Sequence, residues 1–138
     1  MLFGTDGIRG RVSLETVSEL DAIELIKNDR ILTPTLMRIL GQALAAWQGR
    51  SGRVVIGWDR RPGNDALVES LTQGLSMAGM TAIHGGICAT PALHHSLLFH
   101  NGDIGCMITA SHNPVSDSGI KVFDSEGYKT TPKIETML

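Results

Sequence analysis

Strand-length apolar runs and helix-length apolar stripes alternate three times along this chain, with short connections. Thr33-Pro34 reads as an N-cap followed by the residue best suited to the first helical position. Leu36, Leu40, Ala43, Leu44 and Trp47 then recur at helical spacing, and Gly49 closes the helix. Trp47 belongs to that stripe and is expected in the core. Arg53–Trp58 follows as a buried strand, and Asn64 is placed to cap a helix whose Leu67, Val68, Leu71, Leu75 and Ala78 share a face, with Gly79 as its stop. Met80–His84 reads as a short strand, and Thr90-Pro91 opens a helix running to about Phe99. Ile104–Ile108 and Ile120–Phe123 are further strands, the second with Lys121 on the face opposite Ile120 and Val122. Thr131-Pro132 starts one more helix. The pattern predicts an α/β domain, a sheet covered by helices on both faces. Residues 11–32 carry two weak helical signals, Ser13–Leu20 and Asp21–Ile31, and read as an insertion or surface excursion without chemistry.

Composition narrows the function classes. At 138 residues the chain suits one domain with a real core. A net charge of -2 leaves no basic field for nucleic acid or an anionic membrane. The apolar runs are too short to span a bilayer, and Met1–Asp6 lacks the basic and apolar regions of a signal peptide. Cys88 and Cys106 lack Cys-x-x-Cys spacing, so free buried thiols in a reducing cytoplasm are expected rather than a disulfide.

The polar stretch after Ile104–Ile108 is Thr109-Ala110-Ser111-His112-Asn113-Pro114. Proline biases Asn113 away from helix, so Ser111 should sit on a loop at the carboxyl end of a core strand, where open α/β sheets place their ligand crevices. A serine hydroxyl there can be a nucleophile or carry a phosphoryl group, and His112 and Asn113 can hydrogen-bond charged oxygens. The same residue types also build ordinary polar turns. Near the start, Phe3-Gly4-Thr5-Asp6-Gly7-Ile8-Arg9-Gly10 has three glycines in eight positions and reads as a loop presenting Arg9, whose guanidinium can hold phosphate oxygens bidentately. Asp59-Arg60-Arg61-Pro62-Gly63-Asn64 is a polar strand-end loop, either phosphate-facing through Arg61 or a solvated charged turn. His94, His95 and His100 lack the spacing of a zinc-binding pair and are expected to face solvent. A serine hydrolase using Ser111 and His112 is disfavoured, because adjacent residues rarely align as nucleophile and base and no Gly-x-Ser-x-Gly elbow surrounds the serine.

Read together, Phe3–Gly10, Thr109–Pro114 and Ser118-Gly119-Ile120-Lys121 resemble the α-D-phosphohexomutase family, with wording closest to its phosphoglucosamine mutase branch. The resemblance covers residues 3–10 and about 33–132. Asp59 and Arg61 match the family's Asp-Thr/Asn-Arg-x-Ser loop, whereas Arg60 replaces its small polar residue and Gly63 stands where serine is expected. The resemblance implies a mixed, mainly parallel four-stranded sheet between helices, the first domain of the family fold. It implies that 1–138 is a single α/β domain carrying the phosphoserine loop, and an N-terminal piece of a longer multi-domain enzyme.

The implied reaction interconverts glucosamine 6-phosphate and glucosamine 1-phosphate through a bisphosphate, with glucose or mannose phosphates as alternatives. Ser111 would carry the phosphate, Arg9 and Lys121 would be its charge partners, and His112 would orient it. Thr109, Asn113 and Arg61 would bind phosphate or substrate. Magnesium would be held through the Ser111 phosphate, its remaining ligands lying outside this chain, with a sugar 1,6-bisphosphate as activator. The expected partners are a phosphorylated hexose or hexosamine and the other domains of the same enzyme, with no nucleic acid and no membrane. A non-catalytic module binding a phosphorylated ligand or a partner domain is the competing reading.

Overall fold

A computed structural model describes residues 8–48, 52–87, 103–110, 114 and 116–124. Its elements are β1 (Ile8–Val12), α1 (Glu19–Asp29), β2 (Ile31–Leu32), α2 (Pro34–Gln48), β3 (Arg53–Trp58), α3 (Asn64–Met77), β4 (Thr81–Ile87), β5 (Ile104–Ile108) and β6 (Asp117–Asp124). The strands form one sheet in the order β2-β1-β6-β5-β3-β4. Three of its five pairings are parallel (β1 with β2, β3 with β4 and with β5), and β6 runs antiparallel to both β1 and β5. The sheet is therefore mixed and mainly parallel, as expected, but has six described strands where four were expected. β1 and the two-residue β2 extend it at one edge.

All five residues of β5 are buried, which fits a strand inside the sheet with both faces covered. On one face, Ile8, Val54, Ile56, Ile104, Cys106, Ile108, Ile120 and Val122 pack against Leu36, Leu40 and Leu44 of α2 and Leu67, Leu71 and Leu75 of α3. On the other, Val55, Met107 and Phe123 form a smaller cluster with Ile83. The helix expected over Pro91–Phe99, with His94, His95 and His100, lies outside the described residues, as do Cys88, Gly49, Phe3–Gly7 and the start at Thr131-Pro132. Among the described residues no helix is long and apolar enough to cross a membrane.

The helix ends form for local reasons. Thr33 Oγ1 accepts from Leu36 N at 3.2 Å, the N-cap expected before Pro34. After α3, Gly79 adopts φ 92° while its N–H donates to Ser76 O and that of Met80 to Leu75 O, the Schellman pattern that a glycine at this position permits. The start of α3 differs from expectation. Its N-cap is Gly63, at φ 85°, and Asn64 is already the first helical residue.

Residues 11–32 are not a surface excursion. Ser18 Oγ caps α1 by accepting from Asp21 N at 3.1 Å, Ala22 and Ile26 are buried in the main core, and β2 pairs in parallel with β1. Nor are residues 8–10 a loop. Ile8, Gly10 and Val12 alternate with Arg9 and Arg11 along β1, and a Cβ at Gly10 would strike the Arg30 carbonyl that accepts from Arg11 N.

Cys106 sits fully buried on β5, and burial pushes its thiol up to about 12. An unfolded thiol titrates at about 8.5. Between those values the unfolded chain releases a proton that the fold retains, so stability falls as pH rises through that window and is insensitive to Cys106 below it. Iodoacetamide at pH 8 should leave Cys106 unmodified in the native protein and label it after denaturation, as peptide mass mapping would read. Labelling at the denatured rate under native conditions would contradict the burial.

Candidate active site

The carboxyl ends of β3 and β5 lie side by side, since Trp58 pairs with Ile108. Each strand runs into a polar segment: Asp59-Arg60-Arg61 after β3, Thr109-Ala110 after β5. The two are joined through the Asp59 carboxylate. Its Oδ2 accepts from Arg61 Nε at 3.1 Å and from Thr109 Oγ1 at 2.5 Å, and its Oδ1 accepts from Asn64 Nδ2 at 2.7 Å and from Arg61 N at 3.3 Å.

Asn64 is 1% exposed. Its Nδ2 also donates to Asp59 O and to Ile108 O at 3.1 and 3.2 Å, and its Oδ1 accepts from Ser118 Oγ. A buried amide must have its donors and acceptor matched, and here they tie β3, β5 and β6 together. Arg61 also reaches Pro114 and Asp117, where Nη1 donates to Pro114 O at 2.8 Å and Asp117 O at 3.2 Å. With a side chain only 10% exposed, Arg61 is not part of a solvated turn.

β1 and β6 supply two cations. Arg9 lies opposite Gly119, and Lys121 is two residues further along the same strand, opposite Met107 of β5. Residues opposite each other share a face, and so do residues two apart. Arg9 and Lys121 therefore sit on one face as diagonal neighbours, a placement whose side chains are within reach of each other. It is the face away from α2 and α3. The Arg9 side chain crosses Gly119, where an added Cβ would come within 3.1 Å of Arg9 Cγ. Arg9, Gly10, Arg11, Arg30 and Asp117 line a pocket of about 320 Å³.

Comparison with known proteins decides the family. Residues 1–138 match the description "Phosphoglucomutase/phosphomannomutase, alpha/beta/alpha domain I". The chain belongs to the phosphohexomutase family, as its domain I. It is 37% identical over 137 residues to a phosphoglucosamine mutase of Prochlorococcus marinus (strain AS9601), covering 99% of this chain and 27% of that protein. It is 38% identical over 126 residues to a phosphoglucosamine/phosphogalactosamine mutase of Sulfurisphaera tokodaii, covering 91% of this chain and 24% of the relative. A solved structure of a candidate phosphomannomutase from Thermus thermophilus superposes with a TM-score of 0.76 at 27% identity, over 98% of this chain and 29% of that one. The chain thus spans about a quarter of the length of the relatives it matches.

In this phosphohexomutase domain the expected site residues fall in three groups. Arg9 and Lys121 are brought together on one sheet face. Thr109 and Arg61 meet at Asp59, in a frame that holds residues on either side of 111–113. Ser111, His112 and Asn113 lie outside the described residues. Sequence reasoning missed Asn64 and Ser118. The signal for Asn64 was its position at the head of the stripe Leu67, Val68, Leu71, where it continues the buried face at helical spacing. A polar residue there needs buried partners, and helix capping is only one way to supply them.

Proposed function

We propose that this chain is the phosphoserine-bearing domain of a phosphosugar mutase that interconverts glucosamine 6-phosphate and glucosamine 1-phosphate. The carrying observation is the pairing of β1 with β6, which sets Arg9 and Lys121 on one face of a phosphohexomutase domain I, beside the strand that leads to Ser111. The names of the relatives support the amino sugar; the phosphomannomutase likeness of the solved structure favours a hexose phosphate as the second reading.

In the first half-reaction the sugar hydroxyl oxygen attacks phosphorus, the bond from phosphorus to Ser111 Oγ breaks, and the hydroxyl proton is released. In the second, after the bisphosphate turns round, Ser111 Oγ attacks its other phosphorus, the bond from that phosphorus to the sugar oxygen breaks, and the sugar oxygen takes up a proton. Arg9 and Lys121 neutralise charge on the transferring group, His112 and Asn113 hydrogen-bond its oxygens, and Lys121 exchanges a proton with the sugar hydroxyl. Phosphoryl transfer is catalysed chiefly by such positioning and charge.

Magnesium, if bound through the Ser111 phosphate oxygens, supplies further positive charge. Among the described residues no group of three His, Cys, Asp or Glu side chains gathers to hold a metal. The Asp59 carboxylate is already engaged by Arg61, Thr109 and Asn64. The described residues do not form a cage, and no step is assigned to the ion.

The test is a coupled mutase assay with magnesium and sugar bisphosphate, on this chain and on the longer protein that contains it, offering glucosamine, glucose and mannose phosphates. The chain alone is expected to fold without sustained turnover, because it spans so little of its relatives' length. The longer protein should prefer glucosamine phosphate and lose turnover with Ser111→Ala. Full turnover in that variant would exclude the serine carrier. A protein that binds phosphosugar without turnover or Ser111 phosphorylation would be a binding module.

A further inference from the structure

Between Ala110 and Pro114 stand three residues, and the first is Ser111. Both ends of this stretch are held by the same few side chains. On the near side, Thr109 Oγ1 donates to Asp59, Asp59 N donates to Ile108 O, and Asn64 Nδ2 donates to Ile108 O. On the far side, Arg61 Nη1 donates to the carbonyls of Pro114 and Asp117, and Ser118 Oγ donates to Asn64. The ends also meet directly, through Thr109 N to Gly119 O at 2.9 Å.

We propose that Arg61 is a positioning residue for phosphoryl transfer: anchored on Asp59, it fixes both ends of the Ser111-bearing stretch against the strands that carry Arg9 and Lys121, rather than binding phosphate itself. The inference rests on Ser111 being the phosphate carrier. Its physical basis is the geometry of the guanidinium. One planar fork places Nε on a carboxylate and Nη1 on two backbone carbonyls. Lysine offers a single ammonium on a flexible stem and cannot reproduce those directions together. Backbone carbonyls as acceptors mark a role in holding the chain. In-line transfer is sensitive to such placement, since about 1 Å of misplacement can cost about a hundredfold in rate.

A phosphate ligand and a clamp behave oppositely when Arg61 is changed. In the mutase containing this chain, Arg61→Lys should lower kcat by about tenfold to a hundredfold while the KM for sugar phosphate stays within about twofold, because substrate binding is not what is lost. If the Arg61 variants do not fold, Thr109→Val and Thr109→Ser probe the same frame. The first should lower kcat at unchanged KM, and the second, which keeps the hydroxyl, should restore it.

Recovery of kcat in Arg61→Lys, or a rise in KM at constant kcat, would make Arg61 a phosphate ligand and overturn the proposal. So would full kcat in Thr109→Val. Intact-protein mass spectrometry separates this from failure of the carrier reading. An unmodified protein that never carries phosphate on Ser111 refutes the carrier and the clamp together. Phosphorylated Ser111 with unimpaired Arg61→Lys refutes the clamp alone.

Discussion

Arg9→Ala and Lys121→Ala are each expected to slow phosphoryl transfer by about a hundredfold to a thousandfold, the range observed when one preorganised electrostatic donor is removed from a site. The two residues come from opposite ends of the sequence, 9 and 121, and meet only because β1 pairs antiparallel with β6. In the proposed reaction charge develops on the oxygens of the transferring phosphoryl group, and two cations held on one sheet face would stabilise it. The fold should hardly notice. Both side chains are partly exposed, and charges in such positions contribute little to stability. Measured on the enzyme containing this chain, kcat should fall while the thermal midpoint stays within a few degrees. Turnover near the parent value in either variant, or a collapse of the midpoint, would remove that residue from the site.

Gly74→Ala should have the largest effect on stability. Helices α2 and α3 touch backbone to backbone where Gly41 and Gly74 face each other. A Cβ at Gly41 would lie 2.6 Å from Leu71 O and 2.8 Å from Leu75 N, and one at Gly74 would strike the Arg38 carbonyl. Backbone cannot swing aside as a flexible side chain would, so the helices must separate and loosen Leu40, Leu44, Leu71 and Leu75 in the core. Overpacking of this kind costs about 3 kcal/mol or somewhat more. The better helix propensity of alanine returns about 1 kcal/mol, leaving a net loss of about 2 kcal/mol. Denaturant unfolding of this chain measures it, with Gln73→Ala at the exposed neighbouring position as a control expected within about 0.5 kcal/mol. A Gly74→Ala protein as stable as its parent would mean that the helices do not cross this closely.

Much of the architecture was legible because it is encoded locally. β3 and β5 have the bounds read from their apolar runs, and the Thr33 cap and the Gly79 stop follow from residue type at a helix end. What was missed depends on contacts distant in sequence. Within α1 only Ala22 and Ile26 are buried, and β2 is two residues long, so neither carries a strong periodic signal until β1 is there to pair with. The alternation Ile8, Gly10, Val12 in β1 was masked by a glycine whose reason, the Arg30 carbonyl packed against it, exists only in the folded sheet. Gly41 and Gly74, inside helices where glycine is costly, were the available hint of a close crossing.

The candidate site divides the same way. Arg9 and Lys121 were found through motif wording, and that they share a face follows from register. The frame of Asp59, Arg61, Asn64, Thr109 and Ser118 was not readable, because a polar turn and a buried hydrogen-bond network use the same residue types.

The most direct measurement is the fate of a labelled phosphoryl group. The enzyme containing this chain is incubated with a sugar 1,6-bisphosphate radiolabelled at phosphorus, and the modified residue is located by peptide mass spectrometry. Label on Ser111, lost with Ser111→Ala and chased off by unlabelled sugar monophosphate, is the expected result. Label on any other residue, or equal labelling of Ser111→Ala, would contradict a phosphoserine mechanism.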